Sequence, residues 1–142
     1  PAAIETDSSQ FGVGCCLFQD DKPISFASRA LTDNQTRWSN IEREAWAVLY
    51  SLEKYHQYTY NRDPSTLTVF TDQKPLISVA KKPLTSMPRR LQRIFLRLQN
   101  YSFNLRWKME SRCIRAIFFR VHSSLRLMTN RLSTNATSNI WL

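Results

Sequence analysis

Apolar and polar positions change period along the chain, and the changes mark its elements. Ala3-Ile4 leads into Glu5-Thr6-Asp7-Ser8-Ser9, strand chemistry giving way to turn chemistry, which predicts a strand that delivers Asp7 to one edge of a sheet. Phe11 to Gln19 is a second run and carries the chain's two glycines, Gly12 and Gly14. Glycine inside a strand predicts either a structural bulge or a close approach by another backbone, nucleic acid included. Gln19-Asp20-Asp21-Lys22 reads as a turn, and Ile24, Phe26 and Ser28 then alternate with Ser25 and Ala27 as a third strand, completing an antiparallel meander.

The period then becomes helical. Ser39-Asn40-Ile41-Glu42 reads as a capping box opening a helix to about Tyr58, with Ile41, Ala45, Val48, Leu49, Leu52 and Tyr55 as its apolar stripe. Glu42 and Glu44 flank that stripe. Glu42 has a local task at the cap, whereas Glu44 has the small residues Ala47 and Ser51 one and two turns on, which let strand ends come close, so Glu44 is the better candidate for chemistry. Leu67 to Phe70 predicts a strand that stops, like the first, at Thr-Asp: Thr71-Asp72. Pro75 suits the start of a short helix, and residues 81 to 88 read as a loop. Arg89 to Asn100 is predicted helical, with Leu91, Ile94 or Phe95, and Leu98 inward. Tyr101, Phe103, Leu105 and Trp107 alternate with polar residues as a last strand. A helical crossover precedes it, so it is expected to run parallel to its neighbour.

Two strands ending in Thr-Asp, with an acid-bearing helix beside them, can bring Asp7, Asp72 and Glu44 together. Such carboxylates repel, so the cluster calls for a cation, a shared proton or a substrate. Charge distribution strengthens that reading. Residues 1 to 72 hold 6 basic and 10 acidic side chains, and residues 73 to 142 hold 14 basic and 1 acidic, within a net charge of +9 over 142 residues. An acidic half beside a basic half suits carboxylate chemistry on a polyanion; a solvated basic surface is the competing explanation. Arg89, Arg93 and Arg97 recur at i, i+4, i+8 with Arg90 beside them, and mutual repulsion at that spacing is what a polyanion would relieve.

Length and apolar content predict one globular domain. Cys15, Cys16 and Cys113 have neither paired spacing nor an even count, so neither a zinc site nor a disulfide framework is indicated, and a reduced, intracellular and cytoplasmic chain is expected. No leader and no apolar run near 18 residues occurs, which argues against secretion and a membrane partner. A first residue of Pro reads as a piece of a longer frame. His56 and His122 are expected to be structural or exposed, since hard cations prefer carboxylate oxygen.

The order of parts resembles the ribonuclease H (RNase H) domain of retrotransposon polyproteins of the Ty3/gypsy kind. The matching segments are Thr6-Asp7-Ser8-Ser9, Gly12-Val13-Gly14, Pro23 to Thr32, Trp38 to Val48, Thr71-Asp72-Gln73-Lys74-Pro75-Leu76 and Leu98 to Phe103, and they cover roughly residues 3 to 108. The resemblance implies an α/β fold of the RNase H kind: a mixed five-stranded sheet, antiparallel in its first three strands and parallel after, flanked by helices. It also implies hydrolysis of the RNA strand of RNA/DNA hybrids with two Mg²⁺ ions, in a polyprotein where a reverse transcriptase domain precedes it. The family's first three catalytic and metal-binding carboxylates fall on Asp7, Glu44 and Asp72. Arg89, Arg90, Arg93 and Arg97 are the expected nucleic-acid contacts.

The resemblance stops at the carboxy-terminal end. The family continues with a glycine-containing turn and an Ala-Asp-x-Leu-Ser-Arg segment that supplies a fourth carboxylate, but here no glycine follows Gly14 and no aspartate follows Asp72. The nearest echo, Thr129-Asn130-Arg131-Leu132-Ser133, offers a neutral amide, and Glu110 lies too close to the last strand. The expected division is therefore an RNase H-like domain over 1 to 108 and a divergent tail over 109 to 142, frameshifted or disordered. Impaired turnover follows, with a catalytically inactive hybrid-binding or structural remnant as the alternative.

Overall fold

A computed structural model of the chain describes residues 1–109. Three strands open it: β1 (Ala2–Ser8), β2 (Gly12–Gln19) and β3 (Lys22–Ala30). They form the expected antiparallel meander. The β2–β3 turn is made by Asp20 and Asp21, both with positive φ (49° and 62°), the pair of left-handed residues whose twist matches a tight hairpin. Gly12 and Gly14 do not form a bulge. Neither has positive φ, and the one register shift between β2 and β3 falls at Leu17/Phe18. The missing Cβ matters for another reason: Gly14 pairs directly with Asp7. A side chain at position 14 would stand within about 5 Å of that of Asp7. Glycine keeps that space open.

A short helix not foreseen from periodicity, α1 (Asp33–Thr36), follows, closed by a complete capping box between Thr32 and Gln35. The long helix α2 (Asn40–Lys54) begins where expected, with the Ser39 hydroxyl accepting the Glu42 N–H at 3.3 Å. Glu42's carboxylate turns to Arg90 instead of back to the cap. The helix also stops short of Tyr58. It breaks at Tyr55 (φ −101°, ψ 32°), and a separate turn, α3 (His56–Thr59), follows because the Thr59 hydroxyl donates to the carbonyls of Leu52 and Tyr55 (2.8 and 3.1 Å), closing the helix end.

Strand β4 (Leu67–Thr71), helices α4 (Lys74–Ala80) and α5 (Arg89–Leu98), and strand β5 (Asn104–Trp107) complete the described part. Pro75 sits in the first turn of α4, where its missing N–H has no helical partner to lose. Helix α5 ends two residues earlier than the pattern suggested, and β5 starts three residues later than Tyr101. Between them the Tyr101 N–H turns back to the Leu98 carbonyl (3.0 Å) and Tyr101 bridges to Tyr60. The sheet order is β3-β2-β1-β4-β5, with β4 parallel to both β1 and β5. The α/β architecture is thus the one expected.

The core lies between one sheet face and the helices. Ile4, Leu17, Leu67 and Val69 meet Val48, Leu49 and Leu52 of α2, with Leu76, Leu91, Ile94 and Leu98 closing the side. Parallel pairing has a direct consequence for function. Ile4 pairs with Val69 and Glu5 with Phe70, so continuing the register sets Asp7 level with Asp72 at the same sheet edge.

Candidate metal and nucleic-acid site

Asp7 is the penultimate residue of β1, Asp72 follows β4 directly, and Glu44 lies one turn into α2. One carboxylate oxygen from each lies within 4.8 Å of the others. Among the described residues this is the group of acids and metal-ligating side chains close enough to share an ion. Glu44 is 3% exposed. Its Oε1 accepts the Ser8 N–H at 3.2 Å and the Ser8 hydroxyl, which ties α2 to the end of β1. Its Oε2 is shielded from solvent and has no donor. Burial pushes the Glu44 carboxyl up to about 8; the Ser8 hydroxyl opposes this, and the charges of Asp72 and Asp7 add to it. The site therefore contains a carboxyl that holds its proton near neutral pH unless a cation takes the proton's place.

Beside the cluster, a small cleft is lined by Glu5, Thr6, Asp7, Phe70, Asp72 and Lys108. Glu5, 6% exposed, pairs with the Lys108 ammonium, which also lies 5.3 Å from the centre of the Phe70 ring. Sequence reasoning passed over both residues, although Glu5 lies two positions before Asp7 and so shares its strand face. It also gave Ser8 no task. The Asp72 edge is fixed by β5, since the Trp107 indole donates to the Asp72 carbonyl (3.1 Å) and the Lys108 N–H to the Thr71 carbonyl (2.9 Å).

The four arginines of α5 do not behave alike. Arg90 donates to Glu42 at 2.7 Å, and Arg97 grips both oxygens of Glu53 at 2.6 Å. Arg89 and Arg93 are exposed and form no ion pair within the described residues. Repulsion along the helix is thus relieved partly by α2, which periodicity could not show. His56 is structural, its ring nitrogen 2.8 Å from the Tyr101 hydroxyl and its ring stacked on Tyr60. Cys15 and Cys16 are buried free thiols, and burial pushes Cys15 up to about 11, so it is inert packing. Glu110, Cys113, His122 and Asn130 lie outside the described residues. No helix among the described residues is long and apolar enough to cross a membrane.

Comparison with known proteins agrees with this geometry. Residues 1–101 match the family model of the RNase H-like domain found in reverse transcriptase. The Pol polyprotein of the Drosophila melanogaster transposon opus is 29% identical over 144 residues, a match covering 98% of this chain and 14% of that protein. The Pol polyprotein of the Drosophila melanogaster transposon gypsy is 33% identical over 76 residues, covering 54% of this chain and 7% of its own length. The chain therefore spans a small part of these relatives. In structure it is similar to LC11-RNase H1, solved in complex with an RNA/DNA hybrid, with a TM-score of 0.55 at 14% identity over 79% of this chain and 86% of that one. The sheet order, the carboxylate cluster at its edge and the family match converge: the chain belongs to the family of RNase H-like domains found in reverse transcriptase, of the Ty3/gypsy retrotransposon kind.

Proposed function

We propose that this domain hydrolyses the RNA strand of RNA/DNA hybrids internally, as part of a reverse transcriptase polyprotein, with two Mg²⁺ ions as cofactors. The observation that carries the proposal is the convergence of Asp7, Glu44 and Asp72 on one point, with a buried Glu44 oxygen that lacks a donor. The residues fit the ion: the donor set is all oxygen, it is strongly anionic, and a hard cation would supply what Glu44 Oε2 lacks. Bound there, Mg²⁺ supplies charge neutralisation on the phosphate and a water of lowered pKa. Asp7 and Asp72 present carboxylates from two level strand ends, and Ser8 holds Glu44 toward them. Gly14 leaves room beside Asp7 for the scissile strand. The exposed bases of α5 offer contacts to a phosphate backbone, Arg89, Arg90, Arg93 and Arg97 forming one face.

Domain residues 1 to 108 carry this activity in our reading, and the tail from 109 supplies no fourth aspartate. Turnover is reduced accordingly, because three carboxylates must hold what four hold elsewhere in the family. The site of action in this reading is intracellular and cytoplasmic, in a retroelement particle or in the host cytoplasm. The second reading, an inactive hybrid-binding remnant, is favoured by that same missing acid.

The deciding experiment is Mg²⁺-dependent cleavage of a labelled RNA/DNA hybrid by the full chain, with Asp72→Asn as control. Cleavage lost in Asp72→Asn supports the hydrolase. Salt-sensitive hybrid binding without cleavage supports the remnant, and absence of both refutes the two readings together.

A further inference from the structure

Helices α2 and α5 run side by side in the same direction, as the pairs Glu42–Arg90 and Glu53–Arg97 require. Between them lies an open groove of about 430 Å³. One wall is aromatic: Trp38 and Trp46 pack edge to face with ring centres 6.0 Å apart. Arg90 lies 4.8 Å over the Trp38 ring and Arg97 5.7 Å over the Trp46 ring. Each of these guanidiniums is thus held twice, by a carboxylate and by an indole face. Arg93 lines the same groove midway between them, exposed and with no carboxylate among the described residues. Both indole N–H groups are shielded from solvent and have no acceptor. Shielded donors without acceptors are rare in native proteins and call for a reason.

We propose that this groove is a subsite for a phosphodiester of the nucleic-acid strand, with Arg93 as the direct contact and the Trp38–Arg90 and Trp46–Arg97 stacks as its fixed walls. A phosphate is the ligand class that answers the unpaired guanidinium of Arg93. It matches a planar guanidinium bidentately. Glu44 turns to Ser8 of β1 while Glu42 and Glu53 turn to α5, so the groove lies across α2 from the carboxylate cluster and would meet a part of the hybrid other than the cleaved phosphate. Glu42 and Glu53 gain a role from this arrangement. They fix Arg90 and Arg97, three positions before and four after Arg93, so Arg93 is the reader between two supports. The inference rests on the hybrid-binding reading above and divides labour among the arginines that reading treats as one face.

The test is fluorescence anisotropy of a labelled 20-base-pair hybrid with the full chain in EDTA, from about 50 to 200 mM salt. Arg93→Gln is expected to weaken binding about tenfold at 100 mM salt and to lower the slope of log K against log salt by about 1, the signature of one lost phosphate contact. Arg93→Lys, which keeps the charge, is expected to retain the slope. Lys22→Gln, at the β2–β3 turn, is expected to change neither quantity. Equal effects of Arg93→Gln and Lys22→Gln would overturn the subsite in favour of a general field effect. Competition by polyglutamate as effective as that by DNA of equal charge would overturn it in favour of an acidic peptide. A parent chain that binds the hybrid with Arg93→Gln unchanged sinks the subsite alone, whereas a parent that binds no hybrid in EDTA or in Mg²⁺ sinks the functional reading with it.

Discussion

Replacing Glu44 by Gln should make the metal-free protein more stable near neutral pH and should remove its response to Mg²⁺. In the folded chain burial and the neighbouring Asp72 and Asp7 hold the Glu44 carboxyl at about 8, against an ordinary value of 4.5. Between those two pH values the folded state keeps a proton that the unfolded chain has released. The stability this provides is complete below pH 4.5 and is lost as pH rises through about 8. Each pH unit in that window is worth about 1.36 kcal/mol, so the whole interval amounts to roughly 5 kcal/mol and the step from pH 5.5 to 7.5 to roughly 2.7 kcal/mol. At about 4 °C per kcal/mol for a domain of this size, the metal-free parent should melt roughly 10 °C lower at pH 7.5 than the Glu44→Gln variant does, relative to their values at pH 5.5. The amide suits the site: its oxygen still accepts from the Ser8 N–H, and its NH₂ takes the place of the oxygen that lacks a donor. Saturating Mg²⁺, at about a hundred times its dissociation constant, should add about 2.7 kcal/mol to the parent and far less to the variant. Calorimetric melts at the two pH values, in EDTA and in Mg²⁺, give all of these quantities. If the two proteins lost stability in parallel with pH, or gained equally from Mg²⁺, the assignment of the buried carboxyl to cation binding would be refuted.

Gly14→Val should preserve a cooperative melt in EDTA, because valine suits a strand, yet abolish the Mg²⁺-induced rise in Tm by filling the space beside Asp7. Leu52→Ala, at a fully buried position of α2, should lower stability by about 2–5 kcal/mol in denaturant titrations with no change in the slope of the pH effect. Ser39→Ala should lower stability by about 1 kcal/mol through the lost cap of α2, seen as a shift in denaturation midpoint. If the segment after residue 107 arose by a frameshift, the genomic DNA should encode Ala-Asp-x-Leu-Ser in one of the shifted frames, and its absence from both would refute that origin.

The strands and their chemistry were legible because period-2 runs ended twice in the same dipeptide. Thr6-Asp7 and Thr71-Asp72 announce two equivalent strand ends, and parallel pairing of β1 with β4 then sets them level. Glu44 could be preferred to Glu42 by the cap task read for Glu42 and by the size of Glu44's own neighbours, Ala47 and Ser51, both fully buried here. What stayed hidden was set by contacts distant in sequence. Glu42 reads as a local cap partner, but Arg90, 48 positions away, provides a charge partner for the same carboxylate. The break of α2 at Tyr55 depends on the Thr59 hydroxyl, whose bonds appear only once the chain has turned. Of the two reasons read for the glycines, the bulge does not occur: Gly14 opens space opposite the Asp7 carboxylate, and the register stays straight at both glycines. Helix α1 was missed although Thr32 and Gln35 spell its capping box, because four residues show no helical period.

The arrangement of charge separates scaffold from site. Outside the cluster, acids of the first half meet bases of the second: Glu42 with Arg90, Glu53 with Arg97, Glu5 with Lys108. These pairs bridge α2 to α5 and β1 to the end of β5, so part of the sequence-level split between an acidic and a basic half serves to hold the two halves together. The remaining acids at the sheet edge are set against one another, with Glu44 raised first by burial and further by both of its neighbours. A fold that matches Glu5, Glu42 and Glu53 with bases has placed three other carboxylates where they oppose folding. Local conflict within an otherwise consistent structure marks a site kept for what it binds. The physical origin of the proposed metal affinity is therefore the destabilisation itself: the cation gains in binding what the empty cluster loses in repulsion and in the buried proton of Glu44.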